Sequence, residues 1–329
     1  MKKRLTSVFL AAVLSMSMIA GCSSSSGSSA ESSESEAAEE TAEVSEEEML
    51  EEGYTETGDG WYSVVTWTSN GDYNIYGEFY YPEDFDASQT YPTIIMSHGL
   101  SMTHEIYESA EWAAETASRG YVCYIFDFCG GAPDNYSDGD YYEMSVMTEK
   151  SDLDSIIDFV QSFDWCDTDN LFLMGQSQGG MVSALEAADR NEEIAGMILL
   201  YPAFCIVDNL HLTYETADDI PEDTVEVFNG TLGSVYATDV YDLDVMEYIS
   251  GYTGDVLLIH GLNDTTVPYT YSVQALEEAY ADSSSELLLI SGSSSVHAFD
   301  KFYEEGRAYA QNAVWQFLEA HLTTEEEEG

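Results

Sequence analysis

Apolar runs and helical stripes alternate along the chain from about residue 61 onward. Two runs rich in aromatic and β-branched residues, Trp61 to Trp67 and Tyr73 to Tyr81, flank Ser69-Asn70-Gly71-Asp72, which predicts an antiparallel pair joined by a turn. The short apolar run Thr93 to Ser97 predicts a buried strand, and Glu105 to Ser118, stopped by Gly120, a helix. The same reading gives a strand over Tyr121 to Phe128. A helix follows over Thr148 to Phe163, with Leu153, Ile156, Ile157 and Val160 on one face. Then come a strand over Leu171 to Met174, a helix over Gln178 to Arg190, and strands over Ile194 to Tyr201 and Asp255 to His260. A helix over Tyr271 to Tyr280, a strand over Glu286 to Ile290 and an amphipathic helix over Lys301 to Leu322 complete the pattern. Alternation of this kind predicts an α/β fold with a mostly parallel central sheet and helices on both faces.

One stretch breaks the alternation. Residues 203–254 separate two strands by far more than an ordinary βα connection, and they hold seven aromatic residues, eleven acidic ones and no Lys or Arg. So apolar a segment is expected to fold, and it reads as a cap inserted over the C-terminal edge of the sheet.

The ends of the chain behave differently. Lys2, Lys3 and Arg4 precede a short apolar stretch, Val8 to Ala20, too short to span a bilayer and suited to a signal peptide. It ends in Ile19-Ala20-Gly21-Cys22, which resembles the bacterial lipobox. The resemblance implies removal of residues 1–21, lipidation of Cys22, and export to the outer face of a bacterial cytoplasmic membrane, with lipid as the only membrane contact. Residues 22–52 are dominated by Ser and Glu and are expected to form a charged, disordered tether. A folded domain over 53–322 and an acidic tail over 323–329 follow.

Composition narrows the function classes. The 44% hydrophobic content supports a sizeable core, and 63 acidic against 8 basic residues give a formal net charge of −55. Such a surface repels a phosphate backbone, so nucleic acid is excluded as a partner. The same field disfavours anionic substrates and leaves neutral or cationic ones. Beside Cys22 there are Cys123, Cys129, Cys166 and Cys205, with no CxxC pair and no His-rich cluster to suggest a metal site.

The strongest chemical signal is Gly175-Gln176-Ser177-Gln178-Gly179, between the apolar strand ending at Met174 and a helical stretch. Strand, sharp glycine-flanked turn and helix form the context in which a serine hydroxyl projects from the top of a sheet as a nucleophile. Serine needs an adjacent base, and that base an orienting carboxylate. Asp264, in His260-Gly261-Leu262-Asn263-Asp264-Thr265-Thr266-Val267-Pro268, and His297, in Ser295-Val296-His297-Ala298-Phe299, each lie just beyond an apolar strand, where sheets of this type place their chemistry. Of the other histidines, His260 reads as structural, His98 as a brace for its own loop, and His104, His211 and His321 as poorly placed for a base. A tetrahedral oxyanion needs preorganised donors. The candidates are the backbone N–H of Gln178 and that of Leu100, in the loop Ser97-His98-Gly99-Leu100-Ser101.

Taken together, the His98-Gly99 loop, the Gly-Gln-Ser-Gln-Gly turn, the His260-to-Pro268 run with Asp264, and His297 resemble the α/β-hydrolase superfamily over about residues 61–322. The pattern is most similar to bacterial feruloyl/cinnamoyl esterases and the related serine-aminopeptidase-like hydrolases. Phe126-Asp127-Phe128-Cys129-Gly130-Gly131 shares that likeness. Gln176 stands where many such esterases carry His. The resemblance implies an α/β-hydrolase fold with a cap and a serine hydrolase with a Ser177, His297, Asp264 triad, acting through an acyl-enzyme without metal or organic cofactor. The expected substrate is a small neutral or cationic carboxylic ester, with aromatic acyl groups among the candidates. The alternative is a serine peptidase of the aminopeptidase or dipeptidyl-peptidase kind on the same fold.

Overall fold

The computed structural model describes residues 45–104, 108–228 and 230–323. Cys22, the leader, most of the tether and the tail beyond Thr323 lie outside the described residues. The described chain includes residues before 53. A short helix α1 (Glu46–Met49) opens the described chain, and the Leu50 carbonyl accepts from the Trp67 indole at 3.2 Å.

Strands β1 (Thr55–Gly58), β2 (Trp61–Asn70) and β3 (Tyr73–Pro82) form an antiparallel ribbon, β2 and β3 pairing from Trp61 with Pro82 to Asn70 with Tyr73. β4 (Tyr91–Ser97), helix α2 (Glu108–Ala117) and β5 (Val122–Phe126) come next. Then follow α3 (Val146–Gln161), β6 (Cys166–Gln176), α4 (Gln178–Asp189) and β7 (Gly196–Leu200). Between β7 and the next sheet strand stand α5 (Ile206–Thr213), a single 3₁₀ turn (Ala217–Asp219), the hairpin β8 (Thr224–Val227) and β9 (Gly230–Gly233), α6 (Val235–Thr238) and α7 (Val245–Ile249). β10 (Asp255–Gly261), α8 (Thr270–Gln274), β11 (Glu286–Ile290), α9 (Phe299–Phe302) and α10 (Glu304–Ala320) complete the chain.

The main sheet runs β1-β2-β3-β5-β4-β6-β7-β10-β11, parallel from β5 to β11 and antiparallel on the β1–β3 side. This is an α/β-hydrolase fold, as expected. The inner parallel strands β4, β5, β7 and β10 carry apolar runs because both faces are buried. Ile95, Leu173, Leu199 and Leu258 point into one core, with Leu153, Ile156 and Ile157 of α3 and Met181 and Leu185 of α4. Their alternates Ile94, Phe172, Ile198 and Leu257 point into the other, with Trp112 of α2 and Val314, Phe317 and Leu318 of α10. Period-two alternation across a sheet covered on both sides is what makes every position of β5 and β7 buried.

Of the elements that differ from the sequence reading, three show why. The helix expected over Tyr271 to Tyr280 is α only to Gln274 and continues as a π turn through Ala279. The final helix, expected as one piece over Lys301 to Leu322, is two, because Tyr303 is extended (φ −140°, ψ 108°). Gly306 lets α10 pack back on α9, since an added Cβ would stand only 3.2 Å from the Phe299 carbonyl oxygen. β6 starts at Cys166, earlier than expected, because the buried Cys166 pairs with Tyr91 ahead of Asp167, Thr168 and Asp169, whose polar side chains interrupt the apolar run. Cys123, Cys129, Cys166 and Cys205 are all buried free thiols. Among the described residues no helix is long and apolar enough to cross a membrane.

Candidate active site

Ser177 is the hinge between β6 and α4. Its φ of 51° and ψ of −115° are unfavourable for a residue with a Cβ, and its N–H is anchored to the Leu200 carbonyl at 3.0 Å. The glycines of the motif permit the turn by close approach. A Cβ at Gly175 would strike the backbone of Gly179, and one at Gly179 would strike the carbonyls of Ser97 and His98. These contacts bring α4 against the end of β4, and with it the loop that follows β4.

The structure brings three of the sequence-predicted residues into one hydrogen-bonded row. The Ser177 hydroxyl donates to His297 Nε2 at 3.2 Å, and His297 Nδ1 donates to Asp264 Oδ2 at 2.7 Å. Asp264 follows β10, and its Oδ1 accepts the N–H groups of Thr266 (2.9 Å) and Val267 (2.8 Å). Burial would raise the Asp264 carboxyl, yet the His260 ring beside it, the His297 N–H and the Val267 N–H hold it well below the usual carboxylate range. His260 stays in a supporting place. Its Nε2–H donates to the Val267 carbonyl at 2.9 Å, so Nδ1 accepts from the Ser272 hydroxyl at 2.7 Å. His98 braces its loop, accepting the Phe128 N–H on Nε2 (3.1 Å) and donating from Nδ1 to the Gly99 carbonyl (2.9 Å).

Leu100 and Gln178, the two expected oxyanion donors, border the same cavity as Ser177 and His297. Gly99 carries the loop past the serine, with room for a Cβ only 3.4 Å from that of Ser177. The cavity holds about 300 Å³, within the small-ligand range. Its other walls include Met102, Tyr141, Ala203, Val227, Phe228 and Leu232. Val227, Phe228 and Leu232 belong to the β8–β9 hairpin, so this hairpin is the part of the 203–254 insertion that covers the serine. α7 packs instead on α4.

The sequence reading missed two contributors. Tyr141 lies in the loop between β5 and α3, and its hydroxyl shares a 2.5 Å hydrogen bond with Ser101 at the cavity wall. Its signal was a Tyr-Tyr pair in a stretch rich in Gly, Asp and Ser. Tyr201, directly after β7, packs its ring edge-on to the His297 imidazole at 4.8 Å and donates its hydroxyl to Asp300 at 2.8 Å. Asp300 is fully buried and also accepts from the Trp112 indole (3.2 Å) and the Gln176 amide (3.3 Å). Burial raises its carboxyl, and the hydrogen bonds from Tyr201 and Trp112 oppose the rise.

Backbone strain marks the same place without reference to any motif. Among the described residues, Ser101, Ser177, Tyr201, Phe228 and Ala298 are the non-glycine positions with positive φ, and all of them line this cavity. Strained residues persist only where their surroundings over-determine them, and they gather at functional sites. Among the described residues no group of three or more His, Cys, Asp or Glu is set to hold a metal ion.

The model of the prolyl oligopeptidase family matches residues 107–325. Among solved structures, the chain is similar to Est1E from Butyrivibrio proteoclasticus with ferulic acid bound (TM-score 0.68, 21% identity, 78% of this chain and 98% of that one). It is also similar to the acetyl xylan esterase from Paenibacillus sp. R4 (TM-score 0.59, 17% identity, 84% of this chain and 91% of that one). A Bacteroides ovatus protein named for a dipeptidyl aminopeptidase IV shares the fold (TM-score 0.61, 16% identity) over 79% of this chain but 36% of its own.

Proposed function

The chain belongs to the prolyl oligopeptidase family and is a serine hydrolase on an α/β-hydrolase fold, and we propose that it cleaves small carboxylic esters through an acyl-enzyme on Ser177. The Ser177 hydroxyl attacks the ester carbonyl carbon while His297 Nε2 takes its proton, and Asp264 holds Nδ1–H and stabilises the imidazolium. The N–H groups of Gln178 and Leu100 receive the developing oxyanion. Collapse of the tetrahedral adduct breaks the C–O bond, and His297 returns the proton to the departing alcohol. Water, activated by the same imidazole, then hydrolyses the acyl-enzyme.

The observation that carries the ester reading is the chemistry of the cavity wall. Its described lining residues include no Asp, Glu, Lys or Arg, and most are apolar. An aminopeptidase must hold a substrate ammonium, and an unpaired cation in an apolar cavity is strongly disfavoured. A neutral acyl group meets no such penalty, and an aromatic one would find apolar contacts at Phe228, Val227 and Leu232. Est1E, of the same fold, holds ferulic acid. The peptidase alternative draws on the family match.

A panel of short-chain and hydroxycinnamate esters, set against aminoacyl and dipeptidyl anilides, tests the proposal with the purified protein and Ser177→Ala. Ester turnover that disappears in the variant, with anilides untouched, is expected. Ser177-dependent anilide cleavage equal to or faster than ester cleavage would overturn the ester assignment. We further propose that the enzyme works at the cell surface, held through Cys22 as the lipid acceptor. Substitution Cys22→Ala should then release activity into the medium.

A further inference from the structure

The side chain of Gln178 does not face the cavity chemistry. It is almost wholly buried and gripped at both ends. Its carbonyl oxygen accepts the Tyr236 hydroxyl at 2.6 Å, and its NH₂ donates to Glu149 Oε2 at 2.8 Å, with Met144 Sδ at 3.7 Å. Tyr236 is fully buried on α6, in the insertion, and Glu149 sits in the first turn of α3. A second strut runs parallel, from the Ser145 hydroxyl at the N-cap of α3 to Asp239 at the end of α6 (2.6 Å). The residue whose N–H is assigned to the oxyanion is therefore clamped between the hydrolase core and the inserted segment. A buried polar group with two well-aligned partners is fixed, and loss of one leaves the other unpaired.

We propose that Tyr236, Gln178 and Glu149 form a positioning relay, through which the seating of the insertion sets the aim of the Gln178 N–H at the oxyanion. The inference rests on the assignment of Ser177 as nucleophile and deepens it. Glu149 is the sensitive end. Its Oε1 is buried without a hydrogen-bond partner, so the carboxyl suits its protonated form. Burial pushes it up to about 8, against the hydrogen bond from Gln178, and Asp152 on the same helix adds to the rise. The other titratable groups around the relay are Asp239 from the end of α6, with Cys205 and Tyr141 beside Tyr236. No cation bonded to Glu149 is among these. Ionised Glu149 would hold an uncompensated charge in a dry site, relieved only by shifting α3 against α4 and with it residue 178.

The test measures p-nitrophenyl butyrate hydrolysis and the rate of Ser177 labelling by a fluorophosphonate, whose P–O oxygen enters the same oxyanion site, from pH 6 to 10. Tyr236→Phe is expected to lower kcat and the labelling rate about tenfold, with KM within about twofold, because aim rather than binding is lost. The wild type is expected to lose activity toward alkaline pH, and Glu149→Gln, which keeps the acceptor but cannot ionise, is expected to flatten that fall. Wild-type kcat and labelling in Tyr236→Phe would overturn the relay. So would an alkaline limb that survives in Glu149→Gln. Should Glu149→Gln fail to fold, the kcat and KM of Tyr236→Phe decide the matter. Normal wild-type labelling without ester turnover would overturn the ester reading instead, and the relay would then be judged on labelling rates.

Discussion

His297 is held on two sides, by Asp264 at Nδ1 and by the Tyr201 ring against its face. Asp264 is in turn fixed by two backbone N–H groups, so its position is set before substrate arrives. Asp264→Asn keeps the shape but removes the charge and favours the wrong imidazole tautomer. The expected result is a loss of about 10³–10⁴ in kcat with little change in KM, read by steady-state kinetics at neutral pH. At this scale much was legible. Ser177 was given away by its glycines, which the close packing on Ser97 and His98 requires, and Asp264 and His297 by their places after apolar strands. Glu149 and Asp152 were legible but unread: they continue the buried stripe of Leu153, Ile156, Ile157 and Val160, and although an acid suits the first turn of a helix, one on the inward face is unusual. Asp300 gave no such signal, since its three donors come from α2, β6 and the end of β7, brought together only by the fold.

Among the elements, the β8–β9 hairpin buries Val225, Val227 and Leu232 and makes one especially close contact. Gly233 lies so close to the Tyr142 carbonyl that a Cβ there would overlap it. The hairpin is thus docked on the loop after β5, and the two together close the cavity through Phe228, Leu232 and Tyr141. Gly233→Ala is expected to lift the hairpin, raising KM for a butyrate ester about tenfold or more while acetate ester turnover falls less. A side-by-side kinetic comparison of the two esters checks this. The parallel strands were readable because apolar runs survive burial on both faces. The hairpin was not, because Thr224-Val225-Glu226-Val227 alternates correctly but is only four residues long. The break at Tyr303 escaped for a different reason: both sides of it carry helical periodicity, and the turn exists because α9 folds back on α10 at Gly306.

For the molecule as a whole, the formal charge of −55 is the dominant electrostatic fact. The few cations of the described chain are engaged. Lys150 bridges Glu186 and Asp189, Arg190 gathers Asp154, Asp158, Glu186 and Glu193, Arg307 meets Glu111, and Arg119 lies over the Trp315 ring. The remaining carboxylates repel one another, and salt shortens the reach of that repulsion from about 30 Å at 0.01 M to about 3 Å at 1 M. The melting temperature is therefore expected to rise by several degrees, about 5 °C, as NaCl goes from about 10 mM to 500 mM. A scan of thermal denaturation against salt tests it, and a flat or falling curve would contradict it. Total charge and fold class could be read from composition and pattern. How the bases are shared could not, since Lys150 of α3 meets acids of α4, and Arg190 at the end of α4 meets acids of α3, only once the two helices pack together. The four unpaired thiols give the molecule a last property. Cys123 lies in the central strand β5, and Cys205 at the root of the insertion, both shut away from water. None of the four is cross-linked, so each thiol is a silent clock: a reagent in solution can reach it only when its own part of the protein opens, so Cys205 keeps the time of the insertion and Cys123 that of the sheet.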